Sequence, residues 1–124
     1  MNVEYIIPSS NRPKLLCETT LKLLDKNGIG DVSILLSKSQ IELYRLEINR
    51  HNFNIKINIL PTDVEGIGNI RNLIRKMYGE GTNVLMIDDD IKEICIKDDV
   101  TEELVELENI GGFVQMMFEK CIEK

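Results

Sequence analysis

Four short runs of apolar residues recur along the chain, and each of them contains valine or isoleucine. Their apolar character is nearly continuous instead of alternating with polar positions, which is typical of strands covered on both faces. We therefore predict four buried strands, over residues 3–7 (VEYII), 32–36 (VSILL), 55–60 (IKINIL) and 83–87 (NVLMI).

Helical patterns lie between these runs. The first has a proline at an early helical position, Pro13, and a stop signal at Asn27-Gly28. The second opens with SQIE, in which Ser39 and Glu42 have the spacing of a capping box. The predicted helices cover residues 13–27, 39–49 and 69–78.

The alternation of strands and helices indicates the fold class. Parallel neighbouring strands need crossover connections, and helices in those connections cover both faces of the sheet. We expect an α/β fold of three layers, αβα, around a mostly parallel sheet. A chain of 124 residues has about the length of one domain, so residues 1–124 are expected to form a single unit.

The last third of the chain is less regular. Residues 91–98 (IKEICIKD) alternate imperfectly, which predicts a fifth strand, antiparallel at an edge of the sheet. Residues 101–123 predict a helix that is interrupted at Gly111-Gly112. We expect its apolar side to belong to the core, through Phe113, Met116, Met117 and Phe118.

The net charge of −6 is unevenly distributed. Residues 97–124 hold eight acidic and three basic residues, so the first 96 residues sum to −1. Neither part has a basic face, which argues against a stand-alone nucleic-acid-binding module. No apolar run approaches the roughly 20 residues of a membrane span, and the N-terminus lacks the pattern of a signal peptide. We therefore expect a cytoplasmic location.

The chain has too few cysteines and histidines for the common catalytic and metal sites that are built from these residues. Cys17, Cys95 and Cys121 are odd in number and widely spaced, so they are interpreted as reduced core residues. The single histidine, His51, lies in a polar stretch and is interpreted as a surface residue. Histidine-based triads and histidine-rich metal sites are nearly excluded.

Unusual polar and glycine-bearing segments follow every predicted strand, whereas the helix-to-strand returns have the composition of surface turns. In open α/β sheets, ligands bind beyond the carboxyl ends of the strands. We therefore expect the chemistry at this edge, in residues 8–13 (PSSNRP), 37–40 (SKSQ), 61–69 (PTDVEGIGN) and 88–90 (DDD).

The segment after the first strand can bind a nucleotide. Pro8 stiffens the exit from the strand, and Ser9, Ser10 and Asn11 supply small polar groups. Arg12 supplies a planar donor fork that suits a base carbonyl or a phosphate. An ordinary helix cap with an exposed arginine is the alternative.

The segment before the third helix has glycines that permit close backbone approach, at Gly66 and Gly68. Free N–H groups at the start of a helix attract anions, and Arg71 follows in the first turn. No GK[ST] sequence follows, so this is not a P-loop. A glycine-rich turn with a surface arginine is the alternative here.

Three consecutive aspartates follow the fourth strand. If the extended conformation continues, Asp88 and Asp90 point to the same side and share one divalent cation, while Asp89 points away. A bound cation removes the repulsion between the carboxylates and bridges to a diphosphate. A solvated acidic turn is the alternative.

These segments together resemble the nucleotide-diphospho-sugar glycosyltransferases of the GT-A fold. The resemblance lies in YIIPSSNRP (5–13), GIGNIRNLI (66–74) and MIDDD (86–90), the last being similar to their DxD motif. More narrowly, the chain is similar to the small viral and TET-associated glycosyltransferase-like group, which is associated with the decoration of modified DNA bases. A viral member would act in the host cytoplasm.

The resemblance implies a donor site for a nucleotide-diphospho-sugar, with a UDP-sugar as the leading candidate. Asp88 and Asp90 would hold Mn²⁺ or Mg²⁺ on the diphosphate. Residues implied to bind the sugar-nucleotide are Pro8, Ser9, Ser10, Arg12, Gly68, Arg71 and Asp89. The acceptor, a modified DNA base among the candidates, and the catalytic base are not implied by any residue.

The sequence departs from the family pattern in two places. An acidic residue that often follows the second strand is absent from SKSQ (37–40), which leaves the preference for the nucleobase open. Only 34 residues follow the aspartates, so the chain resembles the donor half of such an enzyme, as a fragment or as a minimal version.

Three other functions are compatible with parts of the sequence. A sugar-nucleotide nucleotidyltransferase would favour a glycine-rich basic loop after the first strand, and no lysine occurs there before Lys14. A phosphoacceptor receiver domain needs an acidic pair where this chain has Ser9 and Ser10. A non-catalytic interaction domain with a transferase fold agrees with the short C-terminal part.

Overall fold

The computed structural model describes residues 3–78, 81–97, 104–106 and 109–123. All four predicted strands are present within a residue or two of their expected bounds, and they form one sheet in which every neighbouring pair is parallel. The order across the sheet is β3-β2-β1-β4. The strands are β1 (Val3–Pro8), β2 (Asp31–Ser37), β3 (Lys56–Thr62) and β4 (Asn83–Met86).

The connections between the strands are helical, as predicted. A continuous helical segment follows β1 and consists of α1 (Pro13–Leu16), a π-helical stretch (Cys17–Leu21) and α2 (Lys22–Lys26). A 3₁₀ turn (Lys38–Gln40) leads into α3 (Ile41–Asn49) after β2, and α4 (Ile67–Met77) precedes β4.

The capping box predicted at Ser39 and Glu42 is wrong. The 3₁₀ turn places the start of α3 at Ile41, and no side chain caps this end. The Ser39 hydroxyl lies 3.4 Å from Glu65 Oε1, on the neighbouring loop.

The core confirms the three-layer α/β fold, because successive side chains of β1 face opposite layers. Ile7 packs in the cluster that contains Leu16 and Tyr44, on the side of α1 and α3. Ile6 packs with Ile70 and Ile74 of α4, on the other side. A parallel sheet with helices on both faces is consistent with the expected GT-A-like architecture.

The C-terminal part differs from the sequence-based expectation. A fifth strand is present, β5 (Cys95–Lys97), but it pairs antiparallel with β6 (Leu104–Glu106) in a separate two-stranded sheet and not at the edge of the main sheet. The helix predicted over residues 101–123 is wrong in its first part, because residues 104–106 form β6. The last helix is α5 (Ile110–Glu123), and Gly111 and Gly112 lie in its first turn and do not interrupt it.

The core contacts of α5 are also not those expected. Ile110 and Val114 are buried against Leu23, and Phe118 is partly buried with them. Residues spaced by four positions lie on one side of a helix, which explains why this set makes the contact. Met116 and Met117 are exposed, so the prediction that they belong to the core is wrong.

The minor predictions have mixed outcomes. Cys17 is buried as expected, whereas Cys95 is exposed, and the side chain of Cys121 lies outside the described part. His51 is about one-third exposed and stacks on Phe53, with the ring centroids 5.2 Å apart. Among the described residues, no helix is both long and apolar enough to cross a membrane.

Candidate functional site

The carboxyl ends of β1 and β4 lie side by side, and the chain leaves them in different directions. From β1 the sheet grows outward through β2 to β3, and the chain then returns to place β4 on the other side of β1. Loops that diverge at such a point open a crevice, which is the usual ligand site of open α/β sheets. The segments 9–12 and 87–91 follow these two strand ends.

An ion pair between Arg12 and Asp89 joins the two segments. Arg12 Nε donates to Asp89 Oδ2 at 3.2 Å and Arg12 Nη2 donates to Oδ1 at 2.5 Å, a bidentate geometry. The Asp89 side chain is 1% exposed, whereas that of Arg12 is 43% exposed. Asp89 therefore fixes the guanidinium group, and Arg12 keeps an open side for a ligand.

A chain of buried hydroxyl groups extends from this ion pair. The Ser9 hydroxyl donates to Asp89 Oδ2 at 2.6 Å and lies 2.6 Å from the Tyr44 hydroxyl. Since the only hydrogen of Ser9 is committed to the carboxylate, Tyr44 donates to Ser9. The Arg12 backbone N–H in turn donates to Tyr44. Burial raises the pKa of Tyr44 above its ordinary value, so the phenol stays protonated as this role requires.

The loop after β1 is held in a left-handed turn. Asn11 has a φ angle of +58°, a conformation that asparagine tolerates better than most residues. Its backbone N–H donates to Gln40 Oε1 at 2.6 Å, and Gln40 Nε2 lies 3.3 Å from the Ser10 hydroxyl. This turn places Arg12 at the start of α1.

A second ion pair lies on the α4 side of the crevice. Arg71 Nη2 donates to Asp88 Oδ1 at 2.5 Å, and both side chains are nearly half exposed. The Nε atom of Arg71 is buried, and no acceptor for it exists within the part of the chain that the structure describes. Arg71 thus lies beside Asp88 at the crevice, and one of its donors has no acceptor among the described residues.

The three aspartates do not continue the strand. β4 ends at Met86, and Asp89 and Asp90 form a turn, so the assumption of an extended segment is wrong. Asp89 points into the protein, while Asp88 and Asp90 keep about half of their side-chain surface exposed. Asp90 Oδ2 lies 3.9 Å from Arg12 Nη1.

Two threonines from the π-helical stretch contact the backbone of this turn. Thr20 Oγ1 donates to the Asp88 carbonyl at 2.6 Å and accepts from the Ile91 N–H at 2.9 Å. Thr19 Oγ1 lies 3.1 Å from the Asp89 carbonyl and 2.6 Å from the Leu15 carbonyl. Both threonines are buried.

A cleft of about 390 Å³ adjoins Asp88. Arg71 and Arg75 contribute its cationic groups, and Leu85, Ile91 and Ile94 contribute apolar walls. The cleft is therefore suited to a ligand with an anionic group and a less polar body.

The remaining residues implied by the family resemblance have less direct positions. Pro8 is buried at the end of β1, opposite Leu35 of β2. Gly66 has a φ angle of +88° at the start of α4. Gly68 lies in the first turn of α4, where a Cβ atom would meet no protein atom within 4 Å.

The described residues contain no group of three or more His, Cys, Asp or Glu side chains placed to hold a metal ion. Two carboxylates, Asp88 and Asp90, are exposed at the crevice. A cation at this site would need oxygen ligands from water or from a bound diphosphate.

Comparison with solved structures gives a partial likeness to a known protein. No family model matches the chain, and no curated protein matches it. The crystal structure of S. aureus TarS 1-349 superimposes with a TM-score of 0.43 at 24% sequence identity. The match covers 82% of this chain and 30% of that one. A likeness at this level carries no argument about function.

Three residues at the site were not found from the sequence, Thr19, Thr20 and Tyr44, whereas Gln40 lies in the segment 37–40 that was expected at this edge. Each is a polar or amphipathic side chain in a helix or turn, and each is buried. The adjacent threonines were the one available signal, because β-branched hydroxyl residues are uncommon choices for the buried face of a helix.

Proposed function

We propose that this chain binds the donor of a metal-dependent glycosyltransferase, a nucleotide-diphospho-sugar such as a UDP-sugar, at the crevice between β1 and β4. One observation carries the proposal: two arginines and two half-exposed aspartates lie at the neighbouring carboxyl ends of β1 and β4, where the order of strands in the sheet reverses direction. The segments that hold these residues resemble the donor motifs of GT-A enzymes. A phosphate leaving group needs positive charge, and Arg12 and Arg71 supply it.

The arginines differ in their availability. Arg12 uses Nε and Nη2 on Asp89, whereas its Nη1 group lies 3.9 Å from Asp90 Oδ2, beyond hydrogen-bond distance, and can donate to a phosphate or base oxygen. The buried Nε of Arg71 has no hydrogen-bond acceptor among the described residues. A ligand that shifts the guanidinium group would provide an acceptor for this N–H. Both groups would bind and orient the diphosphate.

The carboxylates fit Mn²⁺ or Mg²⁺ in one respect. Mg²⁺ is usually held by one or two carboxylates together with substrate phosphates and water, and the described residues place two exposed carboxylates at the site. The cation would neutralise charge on the diphosphate as the sugar is transferred. Because two ligands hold a cation weakly, metal binding should depend on the nucleotide.

Calorimetry with UDP and UDP-glucose, each with and without Mn²⁺, tests the proposal. We expect UDP-glucose to bind more tightly with Mn²⁺ than without it, and we expect Asp88→Asn or Asp90→Asn to weaken the binding measured with Mn²⁺ at least about tenfold. Asp31→Asn is the matched control. Asp31 begins the seven-residue strand β2, so it lies roughly 20 Å from the carboxyl edge. Failure to bind any sugar-nucleotide would exclude a donor site.

Turnover needs a separate experiment because the acceptor is unknown. Modified DNA bases are the first acceptors to test, with transfer of radiolabelled glucose as the readout. Binding of UDP-glucose without transfer to any acceptor would favour a donor-binding portion or a non-catalytic domain over a complete enzyme.

A further inference from the structure

The turn that presents Asp88 and Asp90 is anchored by a residue that the donor site itself does not use. Thr20 is completely buried, and its side chain comes from the helical segment after β1, on the opposite side of the turn from α4. Its hydroxyl bridges the Asp88 carbonyl and the Ile91 N–H. These two backbone groups bracket Asp89 and Asp90, so one hydroxyl group closes the turn.

This hydroxyl uses its donor hydrogen and one of its two acceptor sites on the turn. A threonine hydroxyl has one hydrogen to donate, which goes to Asp88, and it accepts one bond from Ile91. No water can take its place without rearrangement, since the side chain has no exposed surface. Loss of the hydroxyl would leave a carbonyl and an N–H without partners, and the turn would have to shift to find new ones.

The local helix geometry explains how Thr20 reaches the turn. The stretch Cys17–Leu21 is π-helical, and such insertions widen a helix and are frequent near functional sites. Thr19 contacts the same turn, but its hydroxyl lies closer to the Leu15 carbonyl of its own helix (2.6 Å) than to Asp89 (3.1 Å). The two adjacent threonines therefore differ in how strongly they hold the turn.

We propose that Thr20 is a positioning residue for the cation: its hydroxyl fixes the 88–91 turn so that the Asp88 and Asp90 carboxylates face the diphosphate together. This inference rests on the proposed function, because it concerns the same carboxylates. Groups that orient metal ligands without touching the metal typically contribute about 10- to 100-fold in metal affinity.

The experiment measures the Mn²⁺-dependent part of UDP-glucose binding by the full chain. Thr20→Val keeps the side-chain volume and removes the hydroxyl, and it should reduce Mn²⁺-dependent affinity at least about tenfold. Affinity for UDP without Mn²⁺, which depends on Arg12 and Arg71, should stay within about twofold, a separation that general loss of structure would not give. Thr20→Ser restores the hydroxyl and should restore the affinity.

Thr19→Val is the matched control, since it removes the neighbouring buried hydroxyl and should have a smaller effect. If Thr20→Val does not fold, Thr20→Cys replaces the hydroxyl with a weakly bonding thiol of similar size and should show the same loss. Unchanged Mn²⁺ dependence in the folded variant would overturn the positioning role while leaving the donor site intact. Absence of Mn²⁺-dependent binding by the unmodified chain would overturn both.

Discussion

Asp89→Asn should destabilise the fold far more than the same substitution at the adjacent residue, Asp88→Asn. The Asp89 carboxylate accepts three hydrogen bonds, two from Arg12 and one from Ser9, and it is 1% exposed. An asparagine keeps only one acceptor oxygen, and its NH₂ group would face an N–H or O–H donor of Arg12 or Ser9, to which it cannot form a hydrogen bond. Adjacent positions with opposite burial make this pair of variants a matched comparison.

The magnitude follows from the environment of each partner. Hydrogen bonds to charged groups contribute about 1.5–3 kcal/mol each, and loss of one partner of a buried ion pair costs about 3–5 kcal/mol. Because Arg12 is 43% exposed, water partly replaces the hydrogen bonds that its guanidinium group loses. We therefore expect Asp89→Asn to lower the free energy of unfolding by about 2–3 kcal/mol. Asp88 and Arg71 form a half-exposed pair, for which the expected loss is at most about 1 kcal/mol.

Urea unfolding followed by far-UV circular dichroism measures both values, which suits a chain with three tyrosines and no tryptophan. With an m-value of about 2 kcal/mol per molar, the midpoint for Asp89→Asn should fall by about 1 M and that for Asp88→Asn by less than about 0.5 M. Equal shifts for the two variants would refute the assignment of Asp89 as the buried anchor.

Three further predictions concern residues near the site. Asn11→Ala should lower the free energy of unfolding by about 1 kcal/mol because of its left-handed backbone, whereas Asn11→Gly should be nearly neutral; urea midpoints would show both. Because burial raises the pKa of Tyr44 above 10.0, its stabilising contribution is complete below pH 10 and is lost as the pH rises towards the folded-state pKa. The difference in unfolding free energy between the unmodified chain and Tyr44→Phe should therefore be constant up to about pH 10 and shrink at higher pH, and a difference that stays constant above pH 10 would contradict this. Burial raises the pKa of Cys17 to about 12, so iodoacetamide at about pH 8 should leave Cys17 unmodified and alkylate the exposed Cys95 in the native chain, as read by peptide mapping.

The strands could be predicted from the sequence because burial on both faces demands continuous apolar runs. Ile6 and Ile7 illustrate this, since adjacent residues of β1 fill two different cores. The starts of the helices were harder to predict from the sequence. A 3₁₀ turn displaces the start of α3, and the spacing of Ser39 and Glu42 carries no information about that turn.

The site was only partly visible in the sequence, for two physical reasons. Charged residues next to predicted strand ends can be recognised in the sequence by their residue type. For this reason Arg12, Arg71 and Asp88 could be selected as candidates. The direction of Asp89 depends on a turn whose geometry is set by Thr20, and the two residues are far apart in the sequence. Such contacts are decided by tertiary packing and leave no local pattern.

The pairing of β1 with β4 has a consequence for how the protein is made. Arg12 and Asp89 are separated by 77 positions, and Ser9 and Asp89 by 80. During synthesis, the residues of β1, β2 and β3 emerge well before Asp89, so for that interval Arg12 and the buried hydroxyl chain have no carboxylate to bind. Closure of so long a loop is opposed by chain entropy until the strands pair. A molecule in which β4 has not yet paired with β1 therefore lacks the Arg12–Asp89 ion pair that joins the two sides of the crevice.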